Sequence, residues 1–201
     1  MNTAQLSIRQ YIKAKDGNRP HLLDQAFAPD AILDMVVHTG SISFPPHVEG
    51  LGPIGDVLVR RFGQTFENVY TFCLGHPPEP QAKTFQCKWL VGMSDKHSGE
   101  ARVGCGLYEW QFSPESGLVQ RLTITIEHMK TLPATDLHCI MEWVSNLDYP
   151  WCCPEALVSN APDIDTLEEV IQYVTANIPT RSSPVDGASL HSDQTLRMGT
   201  P

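Results

Sequence analysis

The sequence predicts an α+β domain: a curved antiparallel sheet packed on three N-terminal helices, with a helical C-terminal extension. Three observations lead there. Apolar residues at helical spacing gather early, strict alternation fills the middle, and the last third changes character. The clearest alternation lies in 99–130, which reads as two long strands joined by Ser113-Pro114-Glu115-Ser116-Gly117. Val103, Cys105, Leu107 and Glu109 share one face of the first strand, and Gly104, Gly106, Tyr108 and Trp110 share the other. In the second strand Leu122, Ile124, Ile126 and His128 share a face opposite Arg121, Thr123, Thr125 and Glu127.

The elements follow in order. Leu6, Ile8, Tyr11, Ile12 and Ala14 make a helix of 3–15, which Asp16-Gly17-Asn18 stops. Pro20 opens a short second helix that ends before Pro29. The run AILDMVV makes 30–37 a strand, and 41–44 reads as its short partner before Pro45-Pro46. Ile54, Val57, Leu58 and Phe62 put a third helix over 50–62, with Gly63 placed to end it. Strands at 67–74, 83–93, 102–112 and 118–129 complete the sheet, whose concave face the helices can cover. The domain is expected to span 1–131. In the extension, 132–201, a helix over 136–145 and another from Asp165 are separated by LDYPWCCP. From Thr180 the chain is polar and rich in Gly, Ser and Pro, as mobile or partner-bound segments are.

Bulk properties narrow the function. A net charge of −9 lacks the basic footprint that phosphates demand, which argues against nucleic acid as a partner. The N-terminus has no basic, then apolar, signal pattern and no run is long enough to span a bilayer, so a soluble cytoplasmic protein without membrane partners is expected. In that setting Cys73, Cys87, Cys105, Cys139, Cys152 and Cys153 are expected as thiols. Cys152-Cys153 with His138 and Cys139 fits no standard zinc spacing, so no metal is expected. Phosphate-binding glycine loops, H-E-x-x-H and G-x-S-x-G are lacking, which disfavours nucleotide chemistry and triad hydrolysis and leaves a pocket that needs no cofactor.

Within the sheet, parity turns Tyr108, Trp110, Leu122, Ile124, Ile126 and His128 inward, and Trp89 is the inward choice over its neighbour Lys88. This face reads either as the wall of a pocket or as plain core, and Gly104 and Gly106 leave room for a ligand in the first reading. His128 is the best general acid/base there, or a satisfied core histidine. Asp34 and His38 share a strand face, as an outward polar pair or as a dyad. Lys88 is a remote Schiff-base candidate.

Two segments carry a resemblance, RQYIKAKDGNRPHLLDQAFAPDAILDM and GLYEWQFSPESGLVQRLTI. The first is a helix with an internal Tyr, a short helix and F-A-x-D-A entering a strand; the second is strand, aromatic-x-F, turn, Gly, strand. Over about residues 4–130 the chain resembles the nuclear-transport-factor-2-like superfamily, the cone-shaped α+β fold of SnoaL-like cyclases, ketosteroid isomerase and scytalone dehydratase. The outward face of Arg121, Thr123, Thr125 and Glu127, together with the long extension, suggests a homodimer formed through the sheet, and the missing motifs leave a pocket for a small hydrophobic molecule. In ketosteroid isomerase an aspartate base works with two donors, a Tyr on the first helix and a protonated acid on a late strand. By motif, Tyr11 matches the first donor and Tyr108 the second; Met35 stands where the base would be, with Asp34 one residue earlier. The expected catalytic set is therefore Tyr11, Asp34, Tyr108 and His128, lined by Met35, Trp89, Trp110, Leu122, Ile124 and Ile126. Isomerisation, dehydration or cyclisation is the first functional reading, and a non-catalytic homodimeric binding module is the second.

Overall fold

Thr3 caps the first helix: its Oγ1 accepts from the Leu6 N–H at 3.2 Å and starts α1, Ala4–Asp16. Ile8, Tyr11 and Ile12 form the buried stripe of α1, and Lys15 extends it by one more turn. A computed structural model describes residues 2–177 of the chain. A 3₁₀ turn, Pro20–Gln25, leads into β1, Phe27–Val37, so Pro29 falls inside the strand and not before it. The register shifts between Phe27 and Ile32, which is how the strand tolerates a residue that cannot donate. The edge partner of β1 is β2, His47–Glu49; residues 41–44, expected as that partner, are loop. Helix then continues over 51–65 as α2, Leu51–Gly55, a π-helical stretch, Asp56–Arg61, and α3, Phe62–Thr65, with Gly63 inside it.

Four long strands follow: β3, Phe66–Leu74; β4, Thr84–Asp95; β5, Ala101–Phe112; and β6, Val119–Leu132. The sheet runs β2-β1-β6-β5-β4-β3-β7, where β7 is Trp151–Cys152. It is mixed, not antiparallel: β1 lies parallel to β6, and β7 parallel to β3. The reason is connectivity. The two ends of the chain's strand order meet at β1 and β6, which no hairpin joins, and β7 returns to β3 from the extension.

The sheet separates two cores. On the concave side α1 and the 51–65 helices cover Met35, Trp89, Tyr108, Trp110, Leu122, Ile124 and Ile126. On the outer side Phe72, Leu90, Val103 and Cys105 lie under α4, Leu137–Ser145, α5, Pro154–Ser159, and α6, Glu168–Thr175. Trp143 anchors this cover, its Nε1 donating to the Leu157 carbonyl at 3.0 Å. The polar stretch from Thr180 lies outside the described residues. No helix among the described residues is long and apolar enough to cross a membrane, and all six cysteines are free.

Candidate functional site

The hairpin of β5 and β6 supplies most of one wall of the cone, and a bulge decides what that wall presents. Cys105 pairs with His128 and Gly106 with Ile126, so β6 carries one residue more than its partner at Glu127. Before the bulge Leu122, Ile124 and Ile126 face the concave core as parity requires. After it the phase reverses, and Met129, not His128, lines the cavity. His128 turns instead to the outer side, with its ring 6.1 Å from that of Tyr173 and Nδ1 3.6 Å from a Glu169 oxygen. Gly106 is needed here. A Cβ would overlap the Thr125 carbonyl oxygen and press on the Trp89 ring, so this glycine admits a close backbone approach and leaves no room for a ligand. The Met129 side chain likewise occupies the space beside Gly104.

Asp34 also lies away from the cavity. It sits on the opposite face of β1 from Met35, ion-paired with Arg121 and 2.7 Å from His47 Nδ1. His38, expected beside it, contacts Glu127 at 3.0 Å. Lys88 is buried on the outer face, where its Nζ donates to the Tyr173 and Ala176 carbonyls.

What remains is a cavity of about 40 Å³ inside the cone. Of the expected residues, Tyr11, Tyr108, Met35, Trp89, Ile124 and Ile126 line it. Trp110 and Leu122 are buried in the same core behind that lining. A water takes roughly 10–15 Å³ of such space, so the cavity holds a few waters or one small head group. Met35, Met93 and Met129 contribute flexible, polarisable side chains to its wall.

The aromatic residues form a connected set. Tyr11 meets Tyr108 and Trp110 edge-on, at 6.1 and 5.5 Å between centroids, and Trp89 stacks on Tyr108 at 5.5 Å. Burial pushes the pKa of both tyrosines well up, so both phenols stay protonated and act as donors. The two hydroxyls influence each other's titration, yet no group meets the Tyr11 hydroxyl at hydrogen-bonding geometry. The Trp89 Nε1–H is equally buried and unpartnered. Buried donors are almost always satisfied, and these two belong to residues of the cavity wall.

A further polar group reaches the cavity that sequence reasoning missed. Lys15 Nζ donates to Thr71 Oγ1 at 2.7 Å and lies 3.1 Å from Asp16 Oδ1. Its ammonium stands 4.5 Å from the centre of the Phe62 ring. Asp16 is saturated, accepting from the Thr71 N–H at 2.7 Å, the Thr71 hydroxyl at 2.7 Å and the Tyr149 hydroxyl at 2.9 Å. The available signal was spacing: Lys15 follows Tyr11 by four residues, on the stripe that α1 buries. Among the described residues no group of three or more His, Cys, Asp or Glu side chains is disposed to hold a metal.

No family model matches the sequence, and no curated protein matches it either. Solved structures do resemble it. A type 2 hexachlorocyclohexane dehydrochlorinase, LinA, aligns at a TM-score of 0.52 and 10% identity, over 65% of this chain and 86% of that one. A computationally designed 17-OHP binder aligns at 0.50 and 10%, over 65% of this chain and 99% of its own. A Catenulispora acidiphila protein with a ketosteroid-isomerase-like fold, solved with trimethylamine, aligns at 0.46 and 14%, over 59% and 82%. In fold the chain is similar to the first two of these structures: helices cover the concave face of a curved, unclosed sheet, the cone-shaped α+β arrangement of nuclear-transport-factor-2-like proteins.

Proposed function

We propose that the chain binds a small, largely apolar molecule in the cone, and that it does so as a binding module whose polar wall consists of donors. One observation carries this reading. Tyr11 Oη and Trp89 Nε1 are buried hydrogen-bond donors without partners, both on residues of a largely apolar cavity. An acceptor oxygen on a ligand would satisfy them. The fold neighbours include a protein that was designed as a small-molecule binder, and this supports the use of such a cone for binding. The test is a panel of small apolar ligands with and without a carbonyl oxygen, read by the fluorescence of Trp89 stacked on Tyr108. Ligands with the oxygen are expected to bind more tightly, and Tyr11→Phe is expected to weaken them by about tenfold, the worth of one buried hydrogen bond. Equal binding by oxygen-free analogues would sink the reading.

A second reading, cofactor-independent isomerisation, dehydration or cyclisation, has one favourable observation. Tyr11 and Tyr108 are protonated phenols side by side, suited to hold a developing oxyanion. It ranks below binding because a proton acceptor is missing from the wall. Asp34 and His128 lie elsewhere, and the described lining residues include no carboxylate or imidazole. Turnover that vanishes in Tyr108→Phe while binding persists would reverse that ranking.

A further inference from the structure

The cavity is small, but it has a neighbour. A groove of about 200 Å³ lies on the other side of Ile42, Phe44 and Phe62, which line both spaces. Its remaining wall comes from the 38–46 loop, through Ser43 and Pro45, from the helical stretch, through Val57, Arg61 and Thr65, and from Phe66 at the start of β3. Ile42 and Phe44 belong to a loop without regular structure, and the helix opposite them contains the π-helical turns Asp56–Arg61. The partition is therefore side-chain deep. A molecule that displaces it occupies both spaces.

The polar end of that path is Lys15. Its ammonium lies over the ring of Phe62, on the cavity side of the partition. Lysine carries three N–H donors; Thr71 Oγ1 and Asp16 Oδ1 take two, and the third has only the aromatic face. Asp16 does not depend on this lysine alone, because Thr71 and Tyr149 also donate to it. The unpartnered Tyr11 hydroxyl belongs to the same wall. An ammonium and a phenol, both donors, on one apolar chamber match an anionic oxygen pair better than a neutral carbonyl.

Resting on the binding reading above, we infer that the ligand is an elongated apolar carboxylate, its head group held by Lys15 and Tyr11 and its tail passing Phe62 into the groove under the 38–46 loop. The head fits the smaller chamber and the tail the larger. Charge separates this class from alcohols and ketones of the same length, because only the carboxylate gains from the ammonium.

Octanoate, octan-1-ol and methyl octanoate, titrated against the full chain at pH 7 by calorimetry, test this. Octanoate is expected to bind about tenfold or more tightly than the other two, as a charge-assisted bond predicts. The pair Lys15→Met with Asp16→Asn, which removes both charges together and is checked for folding by its melting curve, is expected to abolish that preference. Ser43→Trp, on the exposed loop, narrows the groove without touching the core and is expected to weaken octanoate by about tenfold. Equal binding of octanoate and octan-1-ol by the native chain would overturn the carboxylate assignment and leave the cone as a binding site. A preference that survives in the double variant, or unchanged octanoate binding in Ser43→Trp, would overturn the roles given to Lys15 and the groove. If none of the three binds, the cone-binding reading itself falls.

Discussion

Two lysines show what burial does to a single residue. Lys15 and Lys88 are both buried, but on opposite faces of the sheet and with different partners. Lys15 meets a carboxylate. Lys88 meets none: burial pulls its pKa down, while the Tyr173 and Ala176 carbonyls and the Tyr173 ring, 4.6 Å away, hold the charged form. A cation at a helix C-terminus answers carbonyls that the helix leaves unpaired, so Lys88 acts as the cap of α6 from a neighbouring strand. Lys88→Met keeps the apolar stem and removes the donors. The expected cost is about 1–3 kcal/mol, the usual penalty for buried polar groups left unpaired. It should appear as faster amide exchange in α6 with β4 and β5 unchanged, and unchanged exchange in α6 would refute the cap. Lys15 was legible as buried only through its spacing from Tyr11 on the stripe of α1. Lys88 was rightly set outward by parity from Trp89, but the helix that covers it comes from sequence more than eighty residues away.

Among the elements, β2 shows most clearly how charge can define a strand that apolar pattern cannot. His47-Val48-Glu49 has a single buried residue, and the more apolar 41–44 looked the better partner for β1. The pairing is instead zipped by His47, whose Nδ1 lies 2.7 Å from Asp34 and Nε2 3.0 Å from Glu49, with Arg121 on the second oxygen of Asp34. The hydrogen bonds to Glu49, then Asp34, raise the pKa of His47 above its ordinary 6.5. The sign follows. A raised folded-state pKa contributes stability that is complete below the ordinary value and disappears as pH climbs through the raised one. Between about pH 6 and 8 the β1–β2 amides, corrected for intrinsic exchange, should lose protection, and His47→Gln should flatten that dependence. A pH-independent edge in the native chain would refute it. The bulge in β6 is the complementary case. Alternation placed Leu122, Ile124 and Ile126 correctly, then failed at His128, because one inserted residue reverses every later side chain and leaves no mark in the local pattern. Gly106, read as ligand space, was the available clue to a close backbone approach.

Across the whole molecule, the outer face of the sheet is divided between the extension and water. Phe72, Leu90, Val103, Cys105 and Leu132 lie beneath Ile140, Trp143, Val144, Leu157 and Val170, while Arg121, Thr123 and Thr125 remain half-exposed beyond that cover. The homodimer expected from the sequence would form through this outer face, and the extension already occupies its apolar part, the part that a stable interface would bury. What is left is polar, and Arg121 and Glu127 are engaged with Asp34 and His38. The expectation is therefore a monomer at micromolar concentration by light scattering. A chain truncated before Ala134 would uncover the outer cluster, including Val144's seat against Gly92, and should self-associate or precipitate. Trp143→Ala in the full chain gives the milder version, an expected loss of about 3–5 kcal/mol for an emptied tryptophan site, read by denaturant unfolding. If the truncated chain stays monomeric and the native chain dimerises, the extension is not the cover that this sheet depends on, and the dimer must form through a surface other than the apolar half of the outer face.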